Sequence, residues 1–501
     1  MAFNNKPKKP TNLLSTNSQS FKAIKTINLR RRASLVFILL FTALVALFLH
    51  YKHSGATSAA CATASTTAAM SWSGDLRRAE FAWNRLPFTE NYQSPPLRIA
   101  VFSRKWPVNA SPGGMERHAL TLYTALARRG HQVHVFTSPP SMEIDRDNFG
   151  KTQSGSPQIH FHEGLAGQWR YNLAWKQFQE ENDKSPFDVI HSESVALPHW
   201  LARDLPNLAV SWHGIALESL QSTIYQDLAR RPNEPISTSF NTSLYGVVPK
   251  VIKEIRFFKN YAHHIAISDS CGEMLRDVYQ IPTKRVHVIL NGVNAEEFKG
   301  ATKLGMEFRL THKVPVNASL VMGVAGRLVK DKGHPLLYQA FTSLLTEHQD
   351  VYLIVAGSGP WEQRYRDMGG RVVVVGSLHP SELKGFYNAI DVFVNPTLRP
   401  QGLDLTLMEA MMCGKPVLAS RFPSIKGSVV VSDELGFMFS PNVESLLEVL
   451  ELVVGEGKER LQRMGRACGE YARAMFDAEK MALAYERLFL CIKDEAFCQY
   501  S

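Results

Sequence analysis

The chain has 501 residues, 45% hydrophobic and 20% charged, which is enough for about three domains with buried cores. With 32 glycines, 26 prolines and six cysteines, the composition excludes a collagen, a coiled coil, a chain that is disordered throughout and a disulfide scaffold. The net charge is +10, but nine lysines and arginines precede residue 53, and the first acidic residue is Asp75. The rest of the chain is nearly neutral, which argues against a nucleic-acid partner, since that would need a basic face on a folded domain.

An apolar run over residues 33–49 contains no charge and follows three consecutive arginines. Its length is at the short end of the range for a membrane-spanning helix. We predict a cytosolic basic tail over 1–32, a transmembrane anchor over 33–50 and a stem over 51–95, because Lys and Arg accumulate on the cytoplasmic side of a span. This orientation predicts a single-pass type II protein of the Golgi or endoplasmic reticulum, with the main part of the chain in the lumen.

Two other interpretations of the N-terminal segment stay open. A small-residue stretch at 59–62 resembles the cleavage site of a signal peptide, although about thirty residues precede the apolar run. Residues 1–74 are basic, rich in Ser and Thr and free of acids, as in an organelle transit peptide, but the uninterrupted apolar run argues against that reading. Glycosylation acceptors at Asn109, Asn241 and Asn317 could be used only in a lumen, where they would make the chain a glycoprotein.

The cysteines leave one question open. Cys491 and Cys498 could form a disulfide in an oxidising compartment or remain two thiols. Cys271 and Cys413 fall in apolar helical patterns and are predicted to lie in the core.

After residue 96, short apolar runs alternate with segments of helical periodicity, which predicts parallel sheets covered by helices on both faces. A polar stretch divides the runs, so we predict two doubly wound α/β domains, over 96–305 and 306–475, and a C-terminal helix or tail over 476–501 that returns towards the first domain. Ligands of such sheets bind beyond the carboxyl ends of the strands, which predicts a site in the cleft between the domains. The predicted strands are 97–103, 132–138, 188–194, 208–214, 264–270 and 286–292, followed by the runs VMGVAG, VYLIVAG, RVVVVG, DVFVNP and PVLAS.

Two loops could bind an anion. Gly113 and Gly114 follow the first strand and precede a predicted helix, so the backbone could approach a ligand closely at the positive end of the helix dipole. Arg327 and Lys332 lie in GRLVKDKG (326–333), where two cations could neutralise a diphosphate. The alternatives are that the glycines only mark the start of a helix and that the cations lie in a solvated basic turn.

More motifs follow these loops along the chain. Their order resembles the retaining GT-B glycosyltransferases of glycosyltransferase family 4, over roughly residues 97–490. The resemblance implies the GT-B fold, two Rossmann-like domains facing across a cleft, and transfer of a sugar from a UDP- or GDP-sugar to a glycan, protein or lipid acceptor with retention of configuration. The motifs are GGMERHA (113–119), SWHG (211–214), AISDS (266–270), VILNGVN (288–294), VAGSGP (355–360), VVGSLHPSEL (374–383), AIDVFVNP (389–396) and QGLDLTLMEAMMCGKPV (401–417).

The resemblance also implies roles for individual residues. Arg327 and Lys332 would be catalytic, supplying positive charge to the departing diphosphate in place of a metal, so neither a metal nor another cofactor is expected. His213 would be a catalytic residue near the donor sugar, unless it is a core histidine at a strand end. Glu409 would hold the hydroxyls of the nucleotide ribose. The implied donor-binding residues are Gly113, Gly114, Arg327, Lys332, Gln401, Gly402, Asp404, Leu405 and Glu409.

The loop before Glu409 departs from the family pattern. Gln401 replaces a glutamate expected eight positions before Glu409, and the lost charge would weaken its hydrogen bonds to sugar hydroxyls by about 1 kcal/mol or more. Asp404 stands where glycine is usual, and it could either cap the helix that begins near Leu405 or repel the diphosphate. These departures leave open a catalytically weak or inactive sugar-nucleotide-binding or scaffolding protein.

Two further alternatives follow from other parts of the chain. Asp145 and Asp147 form a D-x-D pattern, which another glycosyltransferase fold uses to hold manganese, but they lie in a polar connection and do not follow a strand. The transit-peptide reading would fit a soluble enzyme of sucrose or starch metabolism in a plastid.

Overall fold

The computed structural model of the protein describes residues 94–107, 113–140, 155–230, 235 and 238–498. The predicted tail and anchor over 1–50, almost all of the predicted stem, the Asn109 acceptor and the D-x-D pattern at 145–147 lie outside these residues. Within the described residues, helices that are both long and apolar enough to cross a membrane do not occur.

The first half of the described chain forms a parallel sheet in the order β3-β2-β1-β4-β5-β6-β7. Apart from the edge strand β3, its strands are buried on both faces, as expected for a parallel sheet between two helical layers. The strand order changes direction between β1 and β4, which are parallel neighbours. In doubly wound sheets, the carboxyl ends of the strands at such a point border a crevice. The strands are β1 (Arg98–Phe102), β2 (Gln132–Thr137), β3 (Gln158–Phe161), β4 (Val189–Glu193), β5 (Leu208–Trp212), β6 (His263–Ala266) and β7 (Val286–Val288).

Helices connect these strands. Helix α1 presents one apolar side to the sheet and begins directly after Gly113. A single π-helical turn, Met274–Val278, continues α6. The helices of this half are α1 (Gly114–Arg128), α2 (Tyr171–Lys184), α3 (His199–Ala202), α4 (Ala216–Leu228), α5 (Thr238–Phe257) and α6 (Asp269–Glu273).

The second half forms a parallel sheet in the order β10-β9-β8-β11-β12-β13. Its strands are β8 (Leu320–Ala325), β9 (Val351–Ala356), β10 (Val372–Gly376), β11 (Val392–Asn395), β12 (Val417–Ser420) and β13 (Gly436–Phe439). Its helices are α7 (Thr302–Thr311), α8 (His334–Glu347), α9 (Glu362–Arg366), α10 (Pro380–Ala389), α11 (Leu405–Met412), α12 (Pro423–Lys426) and α13 (Val443–Met475).

The last helix, α14 (Ala478–Lys493), packs against the first sheet and not the second. Its Tyr485 and Leu488 are fully buried with the apolar side of α1, and Glu486 accepts hydrogen bonds from Arg129 and His131. Cys491 forms a disulfide with Cys498 just beyond the helix. The first half is therefore completed by a segment from the far end of the chain.

Every predicted strand is present, and two strands went unpredicted. The missed strands are β3 and β13, which have four residues each. Strand β3 lies at an edge of its sheet and its side chains are only partly buried, so its sequence lacks the apolar run that identifies the central strands. Helix α8 begins at His334, because residues 330–332 form a 3-10 turn before it. Cys271 and Cys413 are buried as predicted.

Candidate active site

A cleft of about 910 Å³ lies between the carboxyl ends of the two sheets. One wall comes from the first sheet, through the loops after β1, β4 and β5, and the other from the loops after β8, β9 and β11. This is the place where ligands bind in doubly wound sheets. The predicted site residues that line the cleft are Gly113, Gly114, His213, Arg327, Lys332, Gly402, Asp404 and Leu405.

The glycines of the first wall stand at the start of α1. Gly113 is the residue before the helix, and its carbonyl accepts the backbone N–H of Arg117 at 3.0 Å. Gly113 has no side chain with which to cap this end of α1, so the backbone N–H groups of the first turn could be donated to a ligand. Anion binding by this turn stays a prediction.

His213 lies at the end of β5 and contacts a buried carboxylate. Its Nε2 pairs with one oxygen of Glu193, and the hydroxyl of Tyr123 donates to the other oxygen. Glu193 is 1% exposed. Burial alone would raise the pKa of Glu193, but the neighbouring His213, together with two further histidines, lowers it overall, so Glu193 is a carboxylate at neutral pH.

His118 lies beside His213, with 4.7 Å between the ring centroids. Both of its ring nitrogens are buried without a hydrogen-bond partner, and burial lowers its pKa to about 3, so the ring is neutral. Ligand atoms of His118, Glu193 and His213 all lie within 4.8 Å of one another. This is the group of described residues that could hold a metal ion.

On the second wall, the two predicted cations differ in their surroundings. The Arg327 side chain is 68% exposed and approaches Asp331 no closer than 4.0 Å. The Lys332 side chain is 18% exposed and pairs with Asp404. Between Lys332 and α8, Gly333 has φ +76°, and a Cβ there would overlap the carbonyl of Pro396. That close approach fixes the turn that carries both cations.

Asp404 occupies the N-cap position of α11, but its side chain makes no capping hydrogen bond. It pairs with Lys332 and accepts a hydrogen bond from Asn395 at 3.2 Å. Burial would raise the pKa of Asp404, but the charge of Lys332, aided by that of Arg399, lowers it overall. Of the two roles considered for Asp404, capping is therefore wrong. Its negative charge does face the cation expected to meet the diphosphate.

Glu409, the predicted ribose ligand, is fully buried and lies behind the cleft surface. Arg117 of α1 pairs with one carboxylate oxygen, and the Tyr387 hydroxyl donates to the other at 2.6 Å. Both oxygens are thus engaged by protein groups, one of them from the opposite half of the molecule. A ribose could reach Glu409 only if Arg117 gives way.

Gln401 is also absent from the described cleft lining. It is 5% exposed, its side-chain amide donates to Gln221 of α4 at 2.6 Å, and its backbone carbonyl accepts from Ser268 at 2.8 Å. Two residues earlier, Arg399 lines the cleft and pairs with Glu218 of α4 at 2.6 Å. The loop after β11 is therefore attached to the first half of the molecule. Contrary to the prediction, Gln401 is not among the residues that line the described cleft.

Sequence reasoning missed several residues of the site. Arg117 and His118 lie within the GGMERHA motif, and only its glycines were interpreted. Glu193 stands at the carboxyl end of a predicted strand, a position that could have identified it. Arg399 lies two residues before a motif that was interpreted, but its partner Glu218 is far away in the sequence.

The molecule has two Rossmann-like sheets around a cleft, a glycine turn at one helix entrance and two cations at another. This arrangement is that of the GT-B enzymes that bind nucleotide sugars. The sequence comparison supports this class. Glycosyltransferase Family 4 matches residues 112–297, and Glycosyl transferases group 1 matches residues 312–475. The chain belongs to the GT-B glycosyltransferases of these families.

Individual relatives agree with this assignment. An uncharacterized glycosyltransferase of Methanocaldococcus jannaschii is 26% identical over 344 residues, which cover 65% of this chain and 80% of that protein. D-inositol 3-phosphate glycosyltransferase of Xylanimonas cellulosilytica is 25% identical over 382 residues, 70% of this chain and 86% of that protein.

Solved structures share the fold. Sucrose-phosphate synthase of Thermosynechococcus elongatus has a TM-score of 0.60 at 19% identity, over 79% of this chain and 98% of that one. The catalytic domain of starch synthase IV of Arabidopsis thaliana, solved with ADP and acarbose, has a TM-score of 0.58 at 18% identity, over 80% and 100%.

The same findings correct the predicted localisation. The two relatives above are archaeal and bacterial, from organisms that have neither a Golgi nor an endoplasmic reticulum. The prediction of a single-pass type II protein of the Golgi or endoplasmic reticulum is therefore wrong.

Proposed function

We propose that the protein transfers a sugar from a UDP- or GDP-sugar to the hydroxyl of a glycan, protein or lipid acceptor, with retention of configuration and without a metal at the diphosphate. The observation that carries this proposal is the position of Arg327 and Lys332 on one wall of the cleft, beside the N-terminus of α11 and opposite His213. Positive charge at that position would be worth most in the transition state, when the diphosphate leaves.

In the proposed reaction, Arg327 and Lys332 are the charged groups that stabilise the departing diphosphate. The bond between the anomeric carbon and the diphosphate breaks, and the acceptor oxygen forms the new glycosidic bond on the same face of the sugar. The acceptor proton goes to the departing phosphate oxygen. Arg327, which is mostly exposed, can turn onto the diphosphate, whereas Lys332 exchanges Asp404 for a phosphate oxygen.

The donor's other parts are assigned from the same geometry. Gly113 and Gly114 let the backbone approach the donor, and His213 hydrogen-bonds the sugar. Glu409 accepts from the ribose hydroxyls once Arg117 has moved aside. Gly402 and Leu405 border the nucleotide, and we assign Gln401 a structural role in holding its loop.

A ligand screen tests this proposal. The full chain is heated with UDP-, GDP- and ADP-sugars, and a donor that binds only the folded state raises the melting temperature. Release of the nucleoside diphosphate is then measured with candidate acceptors. We expect one donor class to stabilise the protein and to be consumed. If neither a UDP-sugar nor a GDP-sugar stabilises the chain, the proposal is wrong.

A second candidate function is favoured by the Lys332–Asp404 pair. If Asp404 keeps Lys332 from the diphosphate, the protein would bind a sugar nucleotide and turn it over weakly or not at all. Replacing Asp404 with glycine, the residue usual at that position by resemblance, separates the two. A large gain in turnover in Asp404→Gly favours the weak or inactive protein, and unchanged or reduced turnover favours the transferase.

A further inference from the structure

The carboxylate of Glu193, which borders the cleft, is held by two partners. It lies at the carboxyl end of β4, is 1% exposed, and has one oxygen engaged by His213 Nε2 and the other by the Tyr123 hydroxyl. Tyr123 comes from α1, and His213 follows β5. Three separate elements therefore converge on one buried charge, which is costly unless its partners are already in place.

The hydrogen bonds continue behind this carboxylate. The Tyr123 hydroxyl lies 2.8 Å from Nδ1 of His191, and Nε2 of His191 lies 2.9 Å from the Ser211 hydroxyl. Ser211 lies 2.8 Å from the hydroxyl of Tyr485, on the last helix of the chain. All of these side chains are fully buried. Such a network fixes Tyr123, and through Tyr123 the position of the Glu193 carboxylate.

We propose that Glu193 is a positioning residue for sugar transfer, holding His213 with its proton on Nε2 so that Nδ1 serves the ligand in the cleft. A carboxylate can only accept hydrogen bonds, so the ring nitrogen facing it must carry the proton. The other nitrogen is then an acceptor for a sugar hydroxyl when the ring is neutral, and a donor when it is charged. The kinetic part of this inference rests on the proposed function, whereas the protonation of His213 does not.

Spectroscopy tests the protonation without requiring any activity. The full chain is labelled with ¹⁵N-histidine, and the ring signals of His213 are assigned by their loss in His213→Gln. We expect a proton on Nε2 in the wild type. In Glu193→Gln, the amide can also donate to the ring, so we expect a mixture of the two neutral forms. A wild-type ring protonated only on Nδ1, or the same form in wild type and variant, overturns the proposal.

A matched variant controls for the loss of a buried carboxylate. Glu486 is also fully buried in the first half of the molecule and accepts from a histidine and an arginine, but it lies on α14, outside the cleft lining. We expect Glu486→Gln to lower the melting temperature and to leave the His213 signals unchanged. If it changes those signals as Glu193→Gln does, the effect is general loosening of the domain and the proposal fails.

Kinetics tests the consequence for transfer. We expect Glu193→Gln to lower kcat about 100-fold, by analogy with a serine protease in which an amide in place of the orienting carboxylate leaves the catalytic histidine in the wrong tautomer. The KM for the donor should change little, because the diphosphate is proposed to bind Arg327 and Lys332, which belong to the other wall of the cleft. Tyr123→Phe should give a smaller loss, and Tyr261→Phe, which removes a buried hydroxyl bonded to Leu197, should give none. A raised KM with unchanged kcat in Glu193→Gln contradicts the proposal.

A metal would give Glu193 a different role. The purified wild type is analysed for bound zinc, manganese and iron, and its activity is measured after chelation. We expect less than a tenth of an equivalent and unchanged activity. One equivalent of metal that is lost in Glu193→Gln would make Glu193 a ligand together with His118 and His213, and would overturn the positioning role.

Discussion

The two walls of the cleft are prepared for ligand to different degrees. On the first wall, Glu193 already has both partners, and His213 is held against it. On the second wall, Lys332 is paired with Asp404, and Glu409 is paired with Arg117 from across the cleft. If the donor binds as proposed, the first wall would accept its sugar without breaking these contacts, whereas the second wall would exchange protein charges for those of the donor.

Such an exchange costs little when the incoming group is a better partner. A diphosphate offers Lys332 more negative charge and more acceptor oxygens than Asp404 does, which favours the replacement, and Asp404 keeps the hydrogen bond from Asn395 and the nearby charge of Arg399. Substitutions on the two walls test this difference, because kcat reports on the chemical step and the donor KM reports on donor binding.

The largest effect is expected for the cations of the second wall. We expect Arg327→Ala and Lys332→Ala each to lower kcat about 100- to 1,000-fold, because each removes charge from the leaving diphosphate. Lys330→Ala is the matched control, since Lys330 is an exposed lysine of the same turn and lies outside the described cleft lining. Nucleotide release measures the effect, and activity retained in both alanine variants would refute the mechanism.

A smaller loss is expected at the ribose carboxylate. Glu409→Gln should raise the donor KM about tenfold, because a hydrogen bond to a charged group contributes about 1.5–3 kcal/mol. It should also lower the melting temperature, because Arg117, which is only 19% exposed, loses its charged partner. The double variant Arg117→Met, Glu409→Gln should recover stability but not the KM. A donor KM that stays at the wild-type value in Glu409→Gln would show that the ribose binds elsewhere.

Gln401→Glu should change turnover less than about threefold, because its side chain contacts Gln221 and does not face the cleft. The variant should be less stable than wild type, since a new charge is placed at a site that is 5% exposed. Steady-state kinetics and thermal unfolding measure both effects. A tenfold gain in turnover would instead mean that residue 401 reaches the sugar.

The smallest catalytic effect is expected from Glu486, behind the first wall. Burial would raise its pKa, but hydrogen bonds from His131 and Arg129 lower it to about 2. The stability that this carboxylate adds is present above its unfolded pKa of about 4.3 and is lost as the pH falls towards 2, by up to about 3 kcal/mol. Unfolding free energies measured from pH 6 to pH 2.5 should fall less steeply in Glu486→Gln than in wild type. Equal slopes would contradict this assignment.

Local patterns predicted the strands, the glycine turn and the cation turn, because periodicity and loop chemistry are readable within a few residues. The pairs across the cleft were not predictable in this way. Arg117 and Glu409 are almost 300 residues apart, and their contact exists only once both sheets have folded. Asp404 illustrates the same limit, since its position before α11 suggested a cap, whereas a lysine from another loop decides its role.

The central claim, that Arg327 and Lys332 bind the diphosphate of a nucleotide sugar without a metal, is tested most directly by calorimetry. UDP, GDP and ADP are titrated into the full chain with and without a chelator, and into the Arg327→Ala, Lys332→Ala double variant. We predict that one nucleotide binds the wild type equally well in both buffers and binds the double variant at least about 100-fold more weakly. Binding that requires a metal, or that survives unchanged in the double variant, would contradict the account.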